Sequence, residues 1–409
     1  MKVVIAIDSF KDSMTSLEAG NAAKDGVLRV FPRSEVKVFQ VADGGEGTVQ
    51  ALCGSGNLNS SCCETRVIMI TGPLGNRIEA SYNVILDFET GNKTAIIELA
   101  QAAGLMLVPK NLRNPLNATT YGLGEMIRDA VLYGCRSFII GIGGSATNDG
   151  GIGMLQALGY SFRDSNGREV RFGAKGLMDI CDIGFENVMY ELNECTFRIA
   201  CDVANPLVGE NGASLVFSPQ KGADVKLAQD MDRAMNRYAD LAEHIAVCDE
   251  SEIHTAWKRK CDIHNVVVDR FYPGVGAAGG LGYAFMMFLN ASLEPGVDIV
   301  LDEIKLENDI KSADYVITGE GKLDSQTIMG KTPFGVAKMA KKYGKRVIAF
   351  AGEVDDGVKD CFNAGFFDAC FSILRGVTTL ELALDKNNAR DNLSNAVEQV
   401  FRVIALNNN

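Results

Sequence analysis

Both ends of the chain carry the same alternation of short, wholly apolar runs with stretches of helical spacing. Val3-Val4-Ile5-Ala6-Ile7 is apolar at every position and is bounded by Lys2 and Asp8. Such a run marks a strand buried on both faces, as in a parallel sheet. Residues 17–31 follow with helical spacing behind Ser16 as N-cap, and residues 36–41 supply the next strand. Near the other end, strands are predicted at 315–318, 346–351 and 369–373, with helices at 335–343 and 358–364. If the five strands share one sheet, right-handed crossovers and the doubly wound order 2-1-3-4-5 set residues 3–7 beside residues 315–318. Everything between residue 41 and residue 315 is then an excursion from that sheet.

The excursion has a different texture. Residues 66–70, 81–88 and 94–99 read as closely spaced strands with Gly-Asn turns, as in antiparallel ribbons. A helix at 119–133, a strand at 136–141, a helix at 151–158, a strand at 196–201, an amphipathic helix at 225–246 and a Gly/Ala-rich helix at 276–289 follow. The expected fold is α/β: a doubly wound parallel sheet domain built from residues 1–59 plus 296–409, interrupted by a second α/β domain, residues 60–295, with a mixed sheet. A chain of 409 residues has room for both cores. Small-molecule sites are expected outside the carboxyl ends of the strands and in the cleft between domains.

Several functions are excluded early. A net charge of −12 opposes broad contact with a phosphate backbone, so no nucleic-acid partner is expected. The 11 cysteines lack a CxxC pair and are read as reduced, with Cys62 and Cys63 in a loop; three histidines are too few for a zinc site of the usual spacing. The first apolar run is too short for an export signal, and no window approaches the roughly 18 to 20 apolar residues of a membrane span. The expectation is a cytoplasmic protein with small-molecule partners and no membrane segment.

Five turns carry the chemistry-bearing residues. Asp8-Ser9-Phe10-Lys11 ends the first strand, where Lys11 can neutralise an anion and Asp8 can accept a proton, hold a metal or merely cap the strand. Asp43-Gly44-Gly45-Glu46-Gly47-Thr48 opens a helix, and its glycines let backbone N–H groups approach a ligand. The loop at 141–151 holds Gly143, Gly144, Ser145, Asn148 and Asp149, a composition suited to phosphate oxygens and hydrated Mg²⁺. Asp202 and Asn205 follow a strand, with Lys221 shortly after; an Asx turn before Pro206 is the plainer account of that pair. Gly319-Glu320-Gly321 and Asp324 follow the strand predicted beside the first, and Lys331 lies beyond them. The glycine that a phosphate-binding P-loop needs ahead of Lys331 is absent, as is a GxGxxG fingerprint. Acids in glycine turns interleaved with Lys11, Lys221 and Lys331 favour metal-assisted chemistry on anions over hydride transfer or serine hydrolysis.

These blocks, in this order along nearly the whole chain, closely resemble the bacterial type I glycerate kinases. Supporting matches are Glu98-Leu99-Ala100, Asn117-Ala118-Thr119-Thr120-Tyr121-Gly122 and Pro219-Gln220-Lys221-Gly222-Ala223. Two positions depart: Ile7 stands where the family often has Pro, and Asp12 where it often has Gly, which adds a negative charge beside Lys11. The resemblance implies a flavodoxin-like domain interrupted by a second α/β domain, and ATP- and Mg²⁺-dependent phosphorylation of D-glycerate, usually at the 2-hydroxyl. On that reading Asp8, Lys11 and Asp202 are catalytic, and Asp149, Asp202 and Asp324 hold the metal. Ser9, Asp43 to Thr48, Gly143, Gly144, Ser145, Asn148, Asn205, Lys221, Gly319, Glu320, Gly321 and Lys331 bind substrate or nucleotide. The alternatives are phosphorylation of the 3-hydroxyl or of another small hydroxy acid, and a two-domain binder of an anion without chemistry.

Overall fold

A computed structural model describes residues 1–44, 47–54, 61–248, 268–325, 327 and 330–406. Its strands are β1 (Lys2–Ile7), β2 (Glu35–Gln40), β3 (Ser61–Thr71), β4 (Arg77–Asp87), β5 (Lys93–Glu98), β6 (Ser137–Gly141), β7 (Ser161–Arg163), β8 (Asp182–Gly184), β9 (Thr196–Ala200), β10 (Ser292–Glu294), β11 (Tyr315–Leu323), β12 (Arg346–Val354) and β13 (Ala369–Ser372). Contacts divide the chain into two compact units, one of residues 1–59 with 295–409 and one of residues 60–294.

In the first unit the sheet order is β13-β12-β11-β1-β2, all parallel. This is the doubly wound order the apolar runs predict, with Ile7 paired to Gly319. Val3, Ile5 and Ile7 pack one face of the sheet against Ala19, Ala23 and Val27 of the helix Ser16–Val30 and against Leu393, Val397 and Phe401 of the helix Lys386–Leu406. The two helices lie so close that a Cβ on Gly26 would meet the Ser394 carbonyl oxygen at 2.4 Å. Thr15, not Ser16, caps the first helix, in a capping box with Glu18. Ser16 is instead buried, donating its hydroxyl to the Ile7 carbonyl (2.6 Å) and accepting from the Val41 N–H (2.9 Å). It thereby ties the carboxyl ends of β1 and β2, where the candidate residues lie.

The second unit holds a sheet of order β10-β9-β6-β5-β4-β3, antiparallel from β3 to β5 and parallel from β5 to β10, with a small β7-β8 ribbon apart. The mixed sheet agrees with the sequence reading, while Cys62 and Cys63 belong to β3 rather than to a loop. Cys53 and Cys63 are disulfide-bonded, against the expectation of thiols reduced throughout, while Cys135 and Cys361 are buried thiols. The Gly/Ala-rich segment Ala277–Leu289 is helical only from Leu281 onward: Ala278, Gly279 and Gly280 all have left-handed backbone angles. Gly279 is pressed so hard against Thr147 and Asn148 that a Cβ there would stand 2.2 Å from the Thr147 oxygen. No helix among the described residues is long and apolar enough to cross a membrane.

Candidate active site residues

At the carboxyl ends of β1 and β11 the pairing runs one step past the strand, as the Asp8 N–H donates to the Gly319 carbonyl (2.8 Å). That sets Asp8, just past the end of β1, beside Glu320, which with Gly319 and Gly321 lies within β11 rather than after it. Both oxygens of Asp8 are engaged: Oδ1 accepts from the Ser9 N–H (2.6 Å) and Oδ2 accepts from the Thr332 hydroxyl. Glu320 Oε1 accepts from the Thr327 hydroxyl (3.0 Å), which itself accepts from the Asp324 N–H (3.1 Å). Lys331 Nζ stands 3.5 Å from Glu320 Oε2 and 3.5 Å from Asp324 Oδ1.

Burial raises the Asp8 carboxyl above its ordinary value against the pull of Thr332 and the Ser9 N–H, and the Asp43 charge adds to the rise. Burial likewise pushes Glu320 up to about 7; Lys331 and Thr327 oppose the shift and Asp8 reinforces it. Thr327 and Thr332 were not among the residues singled out in the sequence. Thr332 follows Lys331 directly in a stretch that fails as a P-loop, so nothing in the pattern marks its hydroxyl.

A cavity of about 420 Å³ opens beside Asp8, lined by Ser9, Lys11, Asp12, Gln40 and Gln50. Lys11 and Asp12 are exposed there. Asp12 has φ +62°, which accounts for the family's frequent glycine at this position. Gly47 also lines the cavity, and Gly44 and Gly47 turn the backbone with φ of +93° and +92°. Asp43 is half-buried and Thr48 is buried at the start of the helix Thr48–Gly54. Gly45 and Glu46 lie outside the described residues. Gly319 serves packing, since a Cβ there would lie 2.0 Å from the Phe350 carbonyl oxygen, whereas Gly321 borders Phe10 and Lys11.

In the second unit, the glycine loop after β6 divides into an open part and a sealed part. Gly143 and Gly144 are exposed, with nothing within 4 Å of an added Cβ, so their backbone is accessible. Hydrogen bonds from the Leu105 N–H to the Gly144 carbonyl (2.8 Å) and from the Ala146 N–H to the Ala103 carbonyl (2.8 Å) fix the turn from behind.

Beyond Gly144 the loop is buried. Lys221, only 2% exposed, donates to Ser145 Oγ (2.8 Å) and to the Thr147 carbonyl (2.6 Å). Burial pulls its ammonium down to about 7, with Asp149 acting in the opposite sense. Asp149 is 0% exposed: Oδ2 accepts from the Thr120 N–H (2.8 Å) and hydroxyl (2.9 Å), and Oδ1 accepts from the Gly151 N–H (3.2 Å). Asn148 donates to Ser214 Oγ (2.9 Å).

Four residues expected to face a ligand, Ser145, Asn148, Asp149 and Lys221, are therefore internal supports of the loop. Their polar groups point into the unit because the chain turns inward after Gly144. The Asp149 oxygens are sealed and engaged, and the Lys331 ammonium stands 3.5 Å from Asp324 Oδ1. Asp202 follows β9 on an exposed segment. Asn205 organises the chain nearby, donating to the Asn211 carbonyl (2.8 Å) and accepting from the Gly276 N–H (3.0 Å). Among the described residues no three His, Cys, Asp or Glu side chains come together to hold a metal ion.

Comparison with known proteins gives these residues a context. The model of the glycerate kinase family matches residues 3–405. The chain is 42% identical to the glycerate 2-kinase of Escherichia coli (strain K12), over 99% of this chain and 98% of that one. It is 41% identical to the glycerate kinase of Halalkalibacterium halodurans, over 99% and 97%. A crystal structure of a protein provisionally assigned as glycerate kinase 2 from Salmonella typhimurium LT2 superposes with a TM-score of 0.81 at 40% identity, and the match covers 100% of this chain and 99% of that one. With the doubly wound sheet, the acids at its strand ends and these matches over nearly the full length, the chain belongs to the glycerate kinase family and is a kinase.

Proposed function

We propose that this kinase transfers the γ-phosphoryl group of ATP to the 2-hydroxyl of D-glycerate, giving 2-phosphoglycerate and ADP. The observation that carries the reading is the pair Gly143 and Gly144: two open glycines on a turn otherwise locked in place, in a member of this family. Accessible backbone N–H groups held rigidly suit phosphate oxygens, because the protein spends no ordering entropy when the ligand arrives. The 2-hydroxyl is favoured by the 42% identity to a relative named as a glycerate 2-kinase.

Lys11, exposed on the cavity beside Asp8, takes the carboxylate of glycerate, and Asp8, fixed by Ser9 and Thr332, orients its hydroxyl. Mg²⁺ usually keeps several waters and takes one or two carboxylates beside substrate phosphates. The exposed Asp202 fits that demand and the sealed Asp149 does not. When bound, the ion neutralises charge on the phosphoryl group.

The test is ATP-dependent phosphorylation of D-glycerate followed by ³¹P NMR. The 2-phosphate resonance is expected; a 3-phosphate product would refute the regiochemistry, and tight glycerate binding without ADP formation would refute turnover. If Asp8→Ala and Asp202→Ala both kept near-normal kcat, these roles would belong to other residues.

A further inference from the structure

A second cavity of the first unit, about 910 Å³, is lined on one side by β12 and the edge strand β13 and on the other by the helix Lys386–Leu406. All its lining residues belong to that unit, and Asp8 is not among them. The pairing of Ile348 with Ala369 and of Phe350 with Phe371 sets Ile348, Ala369 and Phe371 on one face of the sheet, which forms the floor. Ile348 and Ile373 are buried, whereas Phe371 is 39% exposed and Val403 of the helix 61%. An apolar hollow of this size is within the range of about 300 to 1,000 Å³ that small-molecule sites occupy.

The charges at the two ends of the hollow differ. Arg346, where β12 begins, donates to the Tyr315 hydroxyl (2.9 Å), and Asp368 puts a carboxylate at the same end, accepting from the Val347 N–H (2.6 Å) and pairing with Lys341. Arg375, beyond the end of β13, has no ion pair or hydrogen bond among the described residues, although the chain carries 52 acids against 40 Lys and Arg. Gln399 also lacks a hydrogen bond, and Asn395 uses only Oδ1, which accepts from Arg29 (3.2 Å). An unpaired guanidinium and two amides with donors to spare thus border an apolar floor.

We infer that this cavity binds a small amphipathic carboxylate from solution. Its apolar body lies against Ile348, Phe371 and Val400, and its carboxylate is held by Arg375 beside the amides of Asn395 and Gln399. The acid at Asp368 repels an anion from the other end, which fixes the orientation. A ligand without an anion would leave Arg375 unpaired, and one without an apolar body would leave the floor in water.

The experiment is a fluorescence titration of the full chain with two probes of one ring system, anilinonaphthalene sulfonate and the uncharged phenylnaphthylamine. The sulfonate stands in for the carboxylate. Both are expected to bind, and decanoate is expected to displace the sulfonate while acetate does not. Arg375→Gln is expected to weaken the sulfonate and decanoate about five- to tenfold and to leave the uncharged probe within about twofold. Arg346→Gln is expected to change the sulfonate by less than about twofold, and Ala396→Phe, which fills the cavity from the helix, to weaken both probes at least about tenfold.

The site is overturned if Arg375→Gln leaves the sulfonate unchanged or weakens both probes alike, or if Ala396→Phe affects neither. Arg375 is exposed and holds no partner, so its variant keeps the fold and the test does not hang on Ala396→Phe alone. Sedimentation velocity supplies the remaining arm: a dimer that Ala396→Phe dissociates would give the cavity to a second copy of the chain and overturn the small-molecule reading.

Discussion

Lys221→Met replaces a buried ammonium by an apolar side chain of similar length, and the structure sets the size and sign of the effect on stability. Lys221 is 2% exposed, and burial lowers its pKa from 10.5 to about 7. A group whose folded value lies below its unfolded value carries its full burial penalty below about pH 7 and sheds it as the pH rises toward 10.5. Between these limits the unfolded chain holds the extra proton, so the wild type becomes more stable with increasing pH. At about 1.4 kcal/mol per pH unit, scaled by the deprotonated fraction in the folded state, the gain from pH 7 to 9 is about 2 kcal/mol. The variant lacks this gain.

Urea unfolding of both proteins at half-unit steps from pH 6.5 to 9 reads the difference directly, other titrations cancelling between them. Curves parallel to within about 0.5 kcal/mol would refute a lysine that titrates inside the folded unit.

Asp12→Gly removes a left-handed aspartate and a charge from the cavity beside Lys11. It is expected to stabilise the chain by up to about 1 kcal/mol in thermal unfolding and to lower KM for glycerate about two- to fivefold. Gly279→Ala, at φ +71° with a Cβ 2.2 Å from the Thr147 oxygen, is expected to cost about 3 kcal/mol and to weaken ATP in a binding titration, because the glycine loop must move. Gly26→Ala, where the Cβ meets the Ser394 carbonyl oxygen at 2.4 Å, is expected to destabilise the first unit by a similar amount while leaving ATP affinity within about twofold.

The sheet order of the first unit was legible because buried parallel strands are apolar at every position and crossover handedness leaves few arrangements. The helix Lys386–Leu406 was not, although it covers β1 together with the first helix. Its buried positions, Ala389, Leu393, Val397 and Phe401, are spread among so many polar residues that the stripe is faint in sequence. The opposite failure befell residues 276–289, where an apolar composition suggested a helix from the start. Ala278 to Gly280 turn left-handed because Gly279 must fit against Thr147 and Asn148, a contact far away in the chain. The resemblance to glycerate kinases was carried by glycine-acid turns, whose order along the chain is read from the sequence irrespective of packing.

What the turns could not tell was which acid is free to act. Asp8, Asp149 and Glu320 look alike in sequence, each an acid within or beside a glycine turn, yet their donors differ. Asp149 has three donors and no exposure, which makes it a strut for Thr120 and Gly151. Asp8 has two donors and borders a cavity, which makes it an oriented acceptor. Glu320 accepts from the Thr327 hydroxyl at 3.0 Å and pairs with the Lys331 ammonium at 3.5 Å, and burial pushes its carboxyl up to about 7. In each case a threonine hydroxyl is among the partners: Thr120, Thr332 and Thr327. A hydroxyl can donate to a carboxylate and, by rotating, accept from a carboxylic acid, so it tolerates a change of protonation that a backbone N–H or an ammonium would oppose. At Asp149 that freedom is idle, because the backbone N–H groups of Thr120 and Gly151 hold the charge. At Glu320 the Lys331 ammonium opposes protonation, while the Thr327 hydroxyl can follow it by rotating.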